Sequence, residues 1–273
     1  MVSGLVLAGL VAGAVLALVW PLAIFQLCRS RMTLLLRNVL VGAGVFFVFS
    51  QVLEKALHLY LLKANATTAG WFKVHPLAFA LYGSLAAGLF EEVGRYLGMR
   101  FLVRPSGDPG TAVAYGIGHG GIEAILVGSL AMVQALYLAV LLNSGQFDAV
   151  LGPALGPEAL AQVRATLEHL SIAGLALGTL ERLIAVLIQI GLSLLVWRAV
   201  ESRHLGWLTL AIAVHALVDF PPALFQTGLI SPALVEGVLL VIGMALVAYF
   251  LYALPRKPAP PSADATRIIE PAS

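Results

Sequence analysis

Four ionisable side chains lie inside long hydrophobic stretches, where apolar residues are expected. Glu91 and Glu92 occur in the run FEEVGRYLGMR, His119 occurs in YGIGHGGIE, and His215 occurs in HALVDF. Carboxylates and imidazoles are the side chains that most often move protons in catalysis. We therefore predict that these four residues form a catalytic site that activates water for hydrolysis.

Further charged side chains follow at helical spacing in the same stretches and predict a supporting set. Residues four apart lie on one helix face, which gives the couples Glu91–Arg95, His119–Glu123 and His215–Asp219. We expect the second member of each couple to support the first. Glu181 and Arg182 are adjacent in the chain, so we expect them to point in different directions and to pair with different helices, either supporting the site or packing helices.

The energetic cost of burying these charges indicates that they converge. A charged side chain at the centre of a membrane helix costs about 2.5–3.5 kcal/mol, so such side chains must face one another, a cavity or a bound ion. With a rise of about 1.5 Å per residue, Glu91, His119 and His215 come at similar depths in their spans. We expect one pocket, reached from the cytoplasmic half of the bilayer.

The histidines also raise the question of a metal. His119 and His215 are the candidate ligands of a Zn²⁺ ion, which would lower the pKa of a bound water. The chain contains no His-Glu-x-x-His sequence, so a zincin-type helix is excluded. A carboxylate with imidazoles also activates water without a metal, and the pattern leaves both versions open.

The elements that position these residues are membrane-spanning helices. The chain is 60% hydrophobic and only 11% charged, whereas soluble domains are about 25% charged, so lipid must solvate most of the exterior. A span needs about 17–25 mainly apolar residues. Seven stretches have that length, which predicts an all-α, polytopic transmembrane helix bundle within residues 1–254. They are approximately 4–26, 38–62, 77–103, 112–142, 171–198, 205–229 and 232–254.

Charge distribution predicts the orientation and the partners of the bundle. Ten Lys and Arg residues fall in loops on one side of the seven spans and three on the other. The positive-inside rule then places the N-terminus outside and the C-terminus in the cytoplasm, and we expect a bacterial cytoplasmic membrane with lipid as a partner. Residues 255–273 are rich in Pro, Ala and Ser, which predicts a disordered cytoplasmic tail. The net charge of +2 is spread along the chain, which excludes a nucleic-acid-binding stripe.

Small residues and prolines predict how the helices meet. Four glycines surround His119, and they predict either close helix approach or room for a substrate backbone. They are Gly116, Gly118, Gly120 and Gly121. Gly94 and Gly98 would let another helix pack closely. Pro221-Pro222 predicts an interruption of the sixth span just after Asp219.

The order of these motifs resembles the superfamily of CAAX-processing and bacteriocin-processing membrane proteases. In that order, Glu-Glu is followed closely by Arg, an aromatic residue precedes a His with three residues between them, and His-x-x-x-Asp or Asn comes on a later span. The segments EEVGRY, GHGGIE, GTLERL and HALVDF are similar to the YhfC-type branch, described as intramembrane metalloproteases. The similarity runs from about the second span to the sixth.

The resemblance implies hydrolysis of a peptide bond in or at the membrane, in a membrane-associated peptide or protein substrate. It implies that Glu91 or Glu92 is the general base and that His119 is the histidine of the second motif, with Tyr115 as its aromatic residue. His215 and Asp219 match the third motif.

Two departures from the CAAX-type pattern affect the roles of single residues. Arg95 follows the second Glu by three positions instead of four, which leaves its role open. Asp219 stands where Asn is common, and an ionised Asp only accepts hydrogen bonds. This argues against Asp219 as an oxyanion donor.

Two functions from other classes fit the same residues. A proton-coupled transporter also places Glu, His and Asp inside a membrane, but it would distribute them from face to face and often shows inverted repeats. A non-catalytic scaffold would bind the transmembrane helix of a partner without cleaving it. Replacement of Glu91 by Gln separates both from an enzyme.

Overall fold

The computed structural model describes residues 1–103 and 107–253, and every regular element in these ranges is a helix. The predicted tail at 255–273 lies outside the described residues. Continuous helical stretches are numbered here in chain order. They are α1 Gly4–Arg29, α2 Leu36–Ala64, α3 Ala66–Val74, α4 Pro76–Leu102, α5 Gly110–Asn143, α6 Phe147–Leu151, α7 Pro157–Glu168, α8 Ile172–Ser202, α9 Gly206–Gln226 and α10 Pro232–Ala253.

Six of these helices are long and apolar enough to cross a membrane, namely α1, α2, α4, α5, α8 and α9. Each begins and ends within four residues of its predicted span. The last described helix, α10, contains a shorter apolar stretch, Gly237–Leu246. The prediction of a polytopic, all-helical membrane bundle is therefore confirmed.

Local sequence explains where several helices begin. The hydroxyl groups of Ser3 and Ser171 accept hydrogen bonds from the amides of Val6 and Gly174 and so cap α1 and α8. Such caps satisfy amides that lack a partner in the first helical turn. Pro76 occupies the first turn of α4, where its missing N–H costs nothing.

The first half of α5 is the most enclosed part of the bundle, because its glycines bring neighbouring backbones close. A Cβ atom on Gly118 would overlap the carbonyl oxygen of Val39 in α2. On another face, a Cβ atom on Gly116 would lie 2.7 Å from the Cα atom of Ile190 in α8. The glycines near His119 therefore serve close helix packing, the first of their two predicted roles.

The contact between α4 and α9 depends on a further glycine. A Cβ atom on Gly88 would lie 2.8 Å from the carbonyl oxygen of Ile212 and 3.1 Å from the amide nitrogen of Ala216. Gly94 and Gly98 face the ring of Phe49 and the side chains of Val45 and Tyr115, which confirms the close packing predicted there. These contacts bring α2, α4, α5 and α9 together around the polar residues.

The predicted interruption at Pro221-Pro222 is wrong. Helix α9 runs without a break from Gly206 to Gln226 and contains both prolines. Neither proline has an N–H, so the carbonyl groups of Leu217 and Val218 lose their helical donors. Pro222 lines two cavities in this part of the bundle.

Candidate functional site

Three of the predicted catalytic side chains meet between α4, α5 and α9. Glu91 Oε2 lies 2.8 Å from His119 Nε2 and 3.8 Å from His215 Nε2. His119 is completely enclosed, and Glu91 and His215 are buried. The structure thus places a carboxylate between two imidazoles, as expected from their similar depths.

The fourth predicted residue, Glu92, points to a different side of α4 and contacts Arg95 and His215. Its Oε2 lies 3.0 Å from Arg95 Nε, and its Oε1 accepts a hydrogen bond of 2.6 Å from His215 Nδ1. Glu92 and Arg95 are both fully buried. The predicted couple Glu91–Arg95 is therefore wrong, because Arg95 pairs with the carboxylate three residues earlier.

Arg95 ties α4 to α8 and α5. Its Nη1 donates hydrogen bonds to the carbonyl oxygen of Gln189 at 2.7 Å and to Ser193 Oγ at 2.6 Å. Its Nη2 donates to Gln189 Oε1 and lies 3.2 Å from His119 Nε2. A buried guanidinium needs several acceptors, and α8 supplies most of them.

Gln189 is a central residue of the site that the sequence motifs did not identify. Because its Oε1 accepts from Arg95, its amide nitrogen faces two carboxylates. It donates to Glu91 Oε2 at 3.3 Å and to Glu123 Oε2 at 2.7 Å. The spacing of Arg182, Gln189 and Ser193 along one face of α8 was the signal that could have identified it.

The predicted couple His119–Glu123 is wrong. Glu123 binds Gln189, and its Oε1 lies 3.6 Å from Arg182 Nη1. The expectation that Glu181 and Arg182 would pair with different helices is wrong for Glu181, because Arg182 donates a hydrogen bond to it. Arg182 therefore contacts both Glu123 and Glu181, and these three residues form a second polar cluster near Glu91.

The couple His215–Asp219 is confirmed, with Asp219 Oδ2 at 3.5 Å from His215 Nε2. Both residues line a cavity of about 110 Å³ between α8, α9, α10 and the middle of α5. Glu123, Glu181 and Arg182 also line this cavity. Its volume is close to that of one amino-acid side chain, and it starts at the imidazole that faces Glu91.

A separate polar group lies on α2 and α4. His58 Nε2 is 3.1 Å from Glu54 Oε1, and His58 Nδ1 is 2.7 Å from the hydroxyl group of Tyr82. Lys55 donates to Gln51 on the same helix. These pairs join neighbouring turns of α2 and link α2 to α4.

The side chains present do not fit a resident metal ion. Within residues 1–103 and 107–253, no three His, Cys, Asp or Glu side chains are placed to bind one ion. His119 is a predicted ligand, and its Nε2, the ring nitrogen that faces Glu91, lies 3.2 Å from the Arg95 guanidinium. The positive charge of Arg95 repels a divalent cation at that nitrogen. The other predicted ligand, His215, binds Glu92 through Nδ1, which leaves Nε2 as its one ring nitrogen available to a metal. The chemistry is therefore derived from the side chains alone.

The fold and the site together define a class: a polytopic helical membrane protein with a buried group of Glu, His and Arg residues in its interior. A family model described as YhfC intramembrane metalloprotease matches residues 15–240. The uncharacterized membrane protein YhfC of Bacillus subtilis (strain 168) is 36% identical over 251 residues, which cover 92% of this chain and 97% of that protein. The chain belongs to the YhfC family. No solved structure matches it.

Proposed function

We propose that this membrane protein is a peptidase that hydrolyses a peptide bond of a membrane-associated substrate, with Glu91 as the general base. The observation that carries the proposal is the position of the Glu91 carboxylate, 2.8 Å from His119 and 3.8 Å from His215. His215 and Gln189, which both contact Glu91, line a cavity. The family's description as an intramembrane metalloprotease supports the reaction class.

In the proposed reaction, Glu91 takes a proton from a water molecule while the water oxygen attacks the carbonyl carbon of the scissile bond. His119 holds the carboxylate in place through Nε2. When the carbon–nitrogen bond breaks, Glu91 delivers its proton to the leaving nitrogen. One new carboxyl group and one new amine result.

His215 is the proposed stabiliser of the tetrahedral oxyanion. Glu92 accepts the hydrogen bond from Nδ1, which fixes the ring so that Nε2 faces the cavity and Glu91. In its protonated form, Nε2 donates a hydrogen bond to the negative oxygen. Asp219 Oδ2 lies 3.5 Å from the same nitrogen, and an ionised carboxylate only accepts hydrogen bonds. The proposed role of Asp219 is therefore to orient His215 and not to bind the oxyanion.

The same geometry supports an enzyme over a transporter. A transporter needs a path from the polar residues to both membrane faces. In the described part of the chain, the cavity that reaches His215 extends to one side only, and Arg95, Tyr115 and Ser193 are completely enclosed on the other.

Mapping of cleavage products in membranes tests the proposal. New amino termini of membrane proteins are compared in cells that express the wild type, Glu91→Gln or His119→Ala. Glu158→Gln is the matched control, because Glu158 is exposed on α7. We expect products with the wild type and the control and none with Glu91→Gln. The same products with Glu91→Gln would exclude Glu91 as the base.

A further inference from the structure

The cavity beside Glu91 extends in a single direction along all the helices that line it. Gln189 on α8 donates a hydrogen bond to Glu91, and the other cavity residues on α8 precede Gln189 in the chain. On α9 the other cavity residues follow His215 in the chain. On α5 the wall residue is Glu123, which follows His119. Since adjacent spans run in opposite directions, these positions all lie toward the same end of the bundle.

That end is the one with few basic loop residues. It contains the start of α8, the end of α9 and the last turn of α2 with Lys63. The opposite end, called here the arginine-rich end, carries Arg29, Arg31, Arg37, Arg100, Arg198 and Arg203. The positive-inside rule places the arginine-rich end in the cytoplasm, so the cavity extends into the outer half of the membrane.

Toward the arginine-rich end the site is closed. Arg95, Tyr115 and Ser193 each lie about one helical turn from the catalytic group in that direction, and all three are completely enclosed. The cavity found near that end, beside Arg29 and Arg31, includes no residue of the site.

A second cavity continues the first toward the outer end. Asp219 and Pro222 line both cavities. The second one, of about 360 Å³, extends past Tyr82 and His58 to Gln226, the last residue of α9. Asp219, whose side chain is 37% exposed, lies at the junction of the two cavities.

From this placement we infer that water and substrate reach Glu91 from the outer half of the membrane. The substrate class is a membrane-anchored polypeptide with its scissile bond in the outer half of the bilayer or at the outer surface. This corrects the expectation of access from the cytoplasmic half. The substrate part of the inference rests on the proposed peptidase function, whereas the direction of access rests on the cavities and on the orientation that the loop charges predict.

Cysteine labelling tests the direction of access. Cys28 is the single cysteine of the chain, so Cys28→Ser gives a cysteine-free background. Ala185→Cys and Ala223→Cys place thiols in the first and second cavity. Thr67→Cys and Ser202→Cys report the outer and the arginine-rich end, because both residues are exposed. The probe is a charged, membrane-impermeant methanethiosulfonate, applied to intact cells and to inside-out vesicles.

We expect the probe to label the two cavity cysteines when it is applied on the side that labels Thr67→Cys. We expect no labelling of them when it is applied on the side that labels Ser202→Cys. The buried control Ser193→Cys should stay unlabelled from both sides. Labelling of Ala185→Cys from the side of Ser202→Cys, or from neither side, would overturn the inference. Since labelling requires no turnover, adding Glu91→Gln leaves the result unchanged, and failure of the proposed reaction is distinguished from failure of the access route.

Discussion

At the scale of single residues, the adjacent carboxylates Glu91 and Glu92 have separate tasks. Glu92 is fully buried between Arg95 and His215, which is the environment of a structural ion pair. Glu91 faces two imidazoles and the donor nitrogen of Gln189. Neighbouring residues on a helix point about 100° apart, which gives each carboxylate a different set of partners.

This separation predicts that two matched substitutions differ in their effect on stability. Glu92→Gln removes the negative charge that compensates Arg95 inside the bundle, and breaking a buried ion pair costs about 3–5 kcal/mol. We expect a clearly lower midpoint of thermal unfolding for purified Glu92→Gln. Glu91→Gln should have an unfolding midpoint close to that of the wild type. Its contacts are the Gln189 amide and two imidazoles, and Glu92 still binds one of these, His215. Equal midpoints for Glu92→Gln and wild type would contradict the structural role.

The environment of His119 predicts that chelation leaves the reaction intact. The Arg95 guanidinium lies beside the nitrogen that would bind a metal. We therefore expect the cleavage rate of the purified protein to stay at its starting value after treatment with a strong chelator. Loss of activity that Zn²⁺ restores would show that a metal is required and would contradict the derived chemistry.

The sequence predicted which residues meet in the site but not all of their partners. Glu91, His119 and His215 were expected at similar depths, since helical rise alone determines depth. Positions three and four apart both lie on one helix face, so spacing could not decide whether Arg95 pairs with Glu91 or Glu92. The neighbouring helices α8 and α9 decide it, because they supply the acceptors for Arg95 and the imidazole for Glu92.

At the scale of elements, α5 positions the site because its first half is rich in glycine and alanine. Each of its residues from Gly110 to Gly121 is buried. Its glycines approach the backbones of α2 and α8, and this fixes His119 against α4. Helix boundaries were predictable from apolar length, whereas Pro221-Pro222 was misread, since packing within a bundle lets a helix continue through prolines.

The α2–α5 contact predicts a difference between two glycines two residues apart. A Cβ atom on Gly42 would overlap the carbonyl oxygen of Tyr115, whereas Gly44 has nothing within 4 Å. Overpacking costs about 1–3 kcal/mol, so Gly42→Ala should lower the unfolding midpoint. Gly44→Ala should match or exceed the wild type, because Ala is the better helix former. Equal effects of the two substitutions would contradict the close contact.

At the scale of the whole molecule, composition was sufficient to predict a membrane bundle. Which helices are neighbours was not predictable, because lipid-facing and protein-facing residues of a membrane helix are both apolar. For the same reason the residue pattern could not determine the direction in which the cavity extends, and the predicted access from the cytoplasmic half differs from that direction. That direction follows from the contacts of α4, α5, α8 and α9 with one another.

The orientation of the bundle is a prediction of its loop charges. The basic loop residues favour a cytoplasmic C-terminus and an outside N-terminus. Termini on opposite sides require an odd number of spans, so this orientation includes α10 as a seventh span beside the six long helices. A reporter that is active only in the cytoplasm should therefore work when fused to Ser273, and one active only outside should fail there. The reverse pattern would invert the assignment of both ends.

The most direct test of the central claim is the cleavage rate of the reconstituted protein on the substrate that product mapping identifies, for wild type and Glu91→Gln. Loss of a general base typically lowers a rate by about 10²–10⁴-fold, and we predict a loss in this range with unfolding unchanged. A folded Glu91→Gln variant that cleaves at the wild-type rate would contradict the assignment of Glu91 as the base.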